Sequence, residues 1–319
     1  MNLLDEREYY KPFVYPWAFE KYKKQQQMHW LPDEVPLQDD IKDYNQKLSA
    51  DERLLIDNIF RFFTQADVDV CCGYAKHYLP TFKQPEIRMM LVSFAAMEAD
   101  HQEAYSLLLE TLGKSEEMYQ EFFDINAMME KHEYLQDFSM KTPFDMAKTM
   151  AVYSAFTEGV QLFSSFAILL NYPRHNLMKG MGQIVTWSIR DESLHVEGLS
   201  ELFRTFMREN PELWTDKLKY EIYCAAERTV ELEDNFIDVC FNKVTVPDLT
   251  AREVKEYIRY IADRRLLGLG MKAIFKSTVN PLPWIDMQVN AVEHTNFFEN
   301  RATEYAKAST QGNWQDVFK

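Results

Sequence analysis

The chain has 319 residues, 46% of them hydrophobic, enough for one large core or two modest ones. Nine glycines and twelve prolines leave long uninterrupted stretches, which favours long helices over a many-stranded sheet. A net charge of −15 argues against a nucleic-acid-binding surface, which needs clustered Lys and Arg.

Residues 1–45 are rich in aromatics and prolines, among them Tyr15, Trp17, Trp30 and Pro36, and read as an arm with little regular structure laid over a core. The start has no apolar run of the kind a signal peptide carries. Ser49-Ala50-Asp51-Glu52 is a capping box, opening a helix to about Leu79 with Phe60, Phe63, Asp67, Cys71 and Tyr74 on one face. The stretch 80–85 breaks it. Pro85 suits a first helical position, and the next helix runs to Gly113, a C-terminal cap. Residues 114–141 are a polar connection with one helix around 116–131.

Thr142-Pro143-Phe144-Asp145 starts an apolar helix that carries Glu158 and ends at Pro173. Residues 150–170 hold one charge, Glu158, over 21 positions, long enough to span a bilayer. A carboxylate near the middle, with Gln161 and several serines, argues instead for a buried helix of a bundle, and no membrane association is expected. A further helix over about 175–208 carries Glu192 and His195. Beyond Pro211 come a helix with Cys224 and Cys240, another begun by Thr250-Ala251-Arg252-Glu253, and a shorter segment around 284–301. Residues from about 303 are small and polar and are expected to be mobile. The four cysteines form no Cys-x-x-Cys pair, so free thiols and a reducing cytoplasm are expected. The chain reads as a single domain over 1–319.

The chemistry gathers at Glu98 and His101, with Tyr105 one turn on, all on one helical face. The same Glu-x-x-His spacing returns at Glu192 and His195. Asp67 precedes Glu98 by 31 residues and Glu158 precedes Glu192 by 34. The midpoints fall at about residue 82 and at residue 175, beside the proline breaks. Two antiparallel hairpins would therefore each bring a lone carboxylate level with a Glu-x-x-His pair. Four carboxylates and two imidazoles on four helices make a site for two divalent metals, and that mixture suits iron or manganese. Ferritin-like carboxylate bundles as a class use this ligand pattern, with Asp67 here in place of one lone glutamate.

The chain resembles the radical-generating small (beta) subunit of class I ribonucleotide reductase, in the ferritin-like di-metal carboxylate superfamily. The residues carrying the resemblance begin with Phe62-Phe63-Thr64-Gln65-Ala66-Asp67 and Met97-Glu98 with His101 and Tyr105. They continue with Phe156-Thr157-Glu158-Gly159, Arg190-Asp191-Glu192-Ser193-Leu194-His195 and Asn296-Phe297-Phe298-Glu299. The resemblance implies an all-α bundle with a four-helix di-metal core and additional helices. It implies that Asp67, Glu98 and His101 bind one metal, and Glu158, Glu192 and His195 the other. The metals would be two irons, since Asp67 together with Tyr105 is similar to the tyrosyl-radical subclasses, with manganese also accepted. Dioxygen would activate the pair, and Tyr105 would store the radical in an apolar pocket that Leu162 and Phe166 supply.

By the same resemblance Asp191 orients His101, Trp30 joins Asp191 in a radical-transfer route, and Tyr305 carries the radical to the large (alpha) subunit. The tail, with Trp314, Val317 and Phe318, would dock on that subunit, where ribonucleotides are reduced, and the chain would be a homodimer. Ser188 departs from the family, which often has a large apolar residue there, and puts the radical's lifetime in question. Cys71 is an oxidisable neighbour without an assigned role. Two other classes fit a di-metal bundle: an oxidase or desaturase with its own substrate pocket, and an iron-storage protein. Tyr105, Trp30 and the tail argue against the first, and the chain's length and Trp30 beside Asp191 against the second.

Overall fold

The computed structural model of the protein describes residues 2–289, and among these no strand occurs, only one isolated bridge between Val246 and Leu249. The longer helices are α1 (Pro16–Met28), α2 (Ala50–Gly73), α3 (Pro85–Thr111), α4 (Asn126–Gln136), α5 (Pro143–Val152), α6 (Phe163–Arg174), α7 (Lys179–Glu209), α8 (Asp216–Cys240) and α9 (Ala251–Gly268). Most begin where side-chain chemistry satisfies the free N–H groups of a first turn. Reciprocal capping boxes join Ser49 to Glu52 at α2 and Thr250 to Glu253 at α9. The hydroxyls of Thr142 and Thr215 accept backbone N–H groups at the starts of α5 and α8. Pro85 stands in the first turn of α3, and Gly113 just past its end takes the left-handed φ of +72° that an L side chain resists.

Helices α2 and α3 pack as one hairpin, and α6 packs against α7 in the second. Helices α8 and α9 pack on each other, while α8 also covers α5. One continuous cluster of buried side chains runs through them all. None of the described helices is long and apolar enough to cross a membrane.

Three expectations change, the first being the single helix around 116–131, which is a short helix Met118–Glu121 followed, after a turn at Phe122–Asp124, by α4. The arm is not irregular: α1 lies along α3 and touches α7. Pro16 opens it, and the Glu86 carboxylate on α3 accepts the N–H groups of Val14 (2.7 Å) and Tyr15 (2.9 Å) just before it. Glu86 also pairs with the buried Arg7. Glu209 on α7 fastens the same stretch, accepting from the Tyr15 hydroxyl at 2.5 Å and from Leu3 N–H at 2.9 Å. The helix expected through Glu158 is also interrupted. After α5 a π-turn covers Tyr153–Thr157, the chain unwinds over 158–162, and α6 restarts at Phe163. Within the break the N–H groups of Glu158 and Gln161 reach back five residues, to Tyr153 O (3.2 Å) and Phe156 O (3.0 Å).

The expected mobile tail from about residue 303, with Tyr305, Trp314, Val317 and Phe318, and the 296–299 motif lie outside the described residues.

Helix α7, which carries the second Glu-x-x-His, starts without a capping residue of its own at Met178. Acids from far along the chain serve instead. Asp40 accepts from Gly180 N–H (3.0 Å) and Met181 N–H (2.6 Å), and Asp43 from Met178 N–H (2.9 Å). Close approach is possible because Gly180 has no Cβ, which would meet Leu37 and the Pro36 carbonyl at 2.7 Å. Asp40→Ala is expected to lower the unfolding free energy by about 1–2 kcal/mol in urea, as loss of a helix cap does. The exposed neighbour Asp39 is the control. Equal effects from the two alanines would show that Asp40 does not hold the start of α7.

Candidate metal centre

Four helical segments converge on one buried cluster. Asp67 comes from α2, Glu98 and His101 from α3, Glu158 from the break after α5, and Glu192 and His195 from α7. All six are at most 1% exposed. Two sets of ligand atoms lie within 4.8 Å of one another: Glu98, His101 and Glu192, and Glu158, Glu192 and His195. Glu192 belongs to both. Asp67 falls outside either set, but it stands in the field of Glu98, His101 and Glu192.

The two imidazoles are oriented alike. His101 turns Nδ1 inward, 3.5 Å from Glu98 and 3.4 Å from Glu192, and Nε2 outward, 3.3 Å from Asp191 Oδ2. His195 turns Nδ1 toward Glu98 at 2.9 Å and Glu158 at 3.7 Å, and Nε2 toward Gln25 Oε1 at 3.1 Å. An acceptor on each outer nitrogen holds a proton there; burial lowers the His101 pKa, but Asp191, Glu192 and Glu98 outweigh it, so that ring's inner proton leaves when a metal takes its lone pair. Asp191 collects the outer bonds: Trp30 Nε1 donates to it at 2.8 Å and Gln25 Nε2 at 3.1 Å. Trp30 lies with its ring centroid 6.0 Å from that of His101 and 5.1 Å from Trp187.

Inside the cluster, polar atoms are left without hydrogen bonds: Asp67 Oδ2, both oxygens of Glu98 and of Glu192, Glu158 Oε2 and His195 Nδ1. Even the 2.9 Å approach of His195 to Glu98 lacks hydrogen-bond alignment. Orphaned buried carboxylates are costly, and lone pairs converging on a shared space fit divalent cations held between them. The electrostatics agree. Burial, and then the charges of the other acids, push Asp67 and Glu158 well above the usual carboxylate range. Burial and Glu98 push Glu192 up to about 7. Burial raises Glu98 too, but the imidazoles of His101 and His195 outweigh it and hold that carboxyl at about 2. Protons take the role that cations would fill. The donor set of carboxylates and imidazoles therefore fits a pair of divalent metals.

Tyr105 lies one turn beyond His101, 1% exposed, with its ring stacked on Phe63 at 4.3 Å and an interplanar angle of 5°. Phe166 stacks in turn on Phe63 at 5.4 Å. The Tyr105 hydroxyl is 3.5 Å from Ser188 Oγ, which itself donates to Ile184 O at 3.0 Å. Burial, and then the charge of Asp67, raise the phenol's pKa. Cys71 is half-buried, with Sγ 3.8 Å from Ala95 O, and burial raises its thiol pKa. Leu162 is buried and lines a small cavity with Phe62 and Thr157. Sequence reasoning missed Gln25, the link between His195 and Asp191. Its only signal was Pro16, which suits a first helical position and marks the helix that carries it.

Residues 7–281 match the model of the family described as ribonucleotide reductase, small chain. A protein of Invertebrate iridescent virus 6 named for a ribonucleoside-diphosphate reductase small subunit is 44% identical, over 100% of this chain and 99% of its own. The ribonucleoside-diphosphate reductase subunit beta of Chlamydia pneumoniae is 32% identical over 93% of this chain and 89% of its own. Among solved structures, the dimanganese(II) NrdF protein of Streptococcus sanguinis shares the fold, with a TM-score of 0.77 at 23% identity over 88% of this chain and 99% of that one.

The protons now held in the cluster must leave when a cation enters. Glu192, at about 7 in the metal-free chain, ligates in its ionised form, so metal affinity should rise with pH through about 7. At about pH 6, titrating the metal-free protein with manganese(II) in weak buffer should acidify the solution. Uptake without proton release, with an affinity flat in pH, would contradict this charge assignment.

Proposed function

Because the chain belongs to the ribonucleotide reductase small-chain family, we propose that its buried cluster holds a di-iron centre that leaves a stored radical on Tyr105. The chain is a small subunit of ribonucleoside-diphosphate reductase, an oxidoreductase. One observation carries the finer reading: a buried cluster of unpaired carboxylate and imidazole lone pairs lies one helical turn from a buried phenol. Asp67, Glu98, His101, Glu158, Glu192 and His195 are the proposed ligands.

The chemistry that such a pair supplies when bound is one-electron oxidation driven by dioxygen. Asp191 and Gln25 hold the outer imidazole protons, so His101 and His195 offer their inner nitrogens for ligation. Tyr105 gives up one electron and its phenolic proton. Phe63 and Phe166 on one side of it exclude water, which slows loss of a phenoxyl radical. Ser188 offers that oxygen only a long contact of 3.5 Å, so it leaves the radical without a strong hydrogen bond. Trp30, bonded to Asp191 beside His101, is the proposed first station of transfer toward the large subunit, with Tyr305 and the tail as the later ones. A homodimer is part of the same reading.

Iron is favoured by the pairing of Asp67 with Tyr105. Manganese is the second reading, because a protein of this fold is a dimanganese(II) form.

The test is electron paramagnetic resonance after addition of ferrous iron and dioxygen. The natural sequence should give a tyrosyl signal, and Tyr105→Phe should keep both metals but lose that signal and nucleotide reduction with the large subunit. Full turnover by Tyr105→Phe would remove Tyr105 from the radical role.

A further inference from the structure

Glu158 sits at the one place where a metal-bearing segment leaves regular helix. The chain unwinds over 158–162, so some carbonyls there lose the regular helical N–H partners. Two of them are taken by cations from outside. Lys131 on α4 donates from Nζ to Gln161 O at 2.9 Å, and Arg265 on α9 donates from Nε to Gly159 O at 2.9 Å.

Neither cation has an evident surface role. Lys131 is 2% exposed and lies 3.6 Å from the Phe62 ring centroid and 4.5 Å from that of Phe236. Its ammonium pairs with the buried Glu233 at 2.5 Å, and Glu233 accepts from Ser164 on α6. Burial pulls the ammonium's pKa down, and Glu233 opposes that pull. Arg265 is partly exposed, stacks on Phe163 at 5.2 Å, and among the described residues is paired with no carboxylate. Gly159 is shaped to admit it: a Cβ there would come 2.8 Å from Arg265 Nε and would also strike the Ala155 carbonyl. The break is thus clamped one and three residues after Glu158, from two different helices.

We propose that Lys131 and Arg265 are positioning residues that fix the reach of Glu158, and so govern the ion held by Glu158, Glu192 and His195. The ion held by Glu98, His101 and Glu192 does not depend on them, since α3 and α7 are regular helices at those residues. This rests on the two-metal reading above. Contacts that orient a ligand typically change metal affinity by about 10- to 100-fold when removed.

The test is equilibrium dialysis of the metal-free full chain against cobalt(II) alone. The natural sequence should take up two ions. Lys131→Met and Arg265→Met should bind the first as before and the second about 10- to 100-fold more weakly. Lys131→Arg and Arg265→Lys keep a donor and should recover most of that loss. The two conservative variants decide the matter if either methionine variant fails to fold. Folded variants that bind both ions normally, or lose both equally, would overturn the proposal. Fewer than two ions on the natural sequence would instead remove the two-metal reading, and this inference with it.

Discussion

Burying four carboxylates in one apolar interior is the constraint on which the rest of the molecule depends. Each carboxylate prefers water, and unpaired charge in a medium of low polarity is strongly unfavourable. Helices can deliver such groups only if their backbones are rigid and their own polar groups are satisfied. That is why the ends are so carefully capped, down to Asp40 and Asp43 serving a helix that begins 135 or more residues later. The aromatic surroundings, Phe63 and Phe166 against Tyr105 and Phe94 against His195 at 4.4 Å, keep water from relaxing the cluster. Charge is left to be balanced by protons or by metals.

The second layer of control lies outside the cluster. Asp191 receives Trp30, Gln25 and His101, and Gln25 also receives His195. Two imidazoles on different helices are therefore oriented by one connected set of four bonds, and three of them involve the N-terminal arm. An arm of irregular chain could not hold Gln25 to 3.1 Å on both sides. Regular structure in α1, fastened by Glu86 and Glu209, supplies the needed stiffness.

Much of this was legible in the sequence because it rests on local rules. Ser49 with Glu52, Thr250 with Glu253, Pro85 and Gly113 announce their helix ends by type and spacing. The Glu-x-x-His pairs announce a shared face, and the proline break near residue 175 puts Glu158 level with Glu192, with which it shares a ligand set. What stayed hidden depends on distant contacts. The break at Glu158 reads as an unbroken apolar helix until Arg265, 106 residues later, occupies the space beside Gly159. Glu192 shared between both ligand sets follows from the angle at which helices cross, which spacing along one helix does not encode. Gln25 looks like one of three consecutive glutamines in a polar stretch, and only the packing of α1 on α3 and α7 singles it out.

The contact between the arm and His195 also orders events in time. Gln25 and His195 are 170 residues apart, whereas Asp67 and Glu98 are 31 apart. Loop closure makes the longer contact entropically dearer by about 1.5 kcal/mol, before any gain from the bonds themselves. The bundle can therefore assemble first and the arm settle afterwards. Until it settles, the outer nitrogen of His195 has no fixed acceptor, and its ring can hold the proton on either side. An ion that arrives early meets adaptable imidazoles; one that arrives late meets a chamber already closed by the arm's helix.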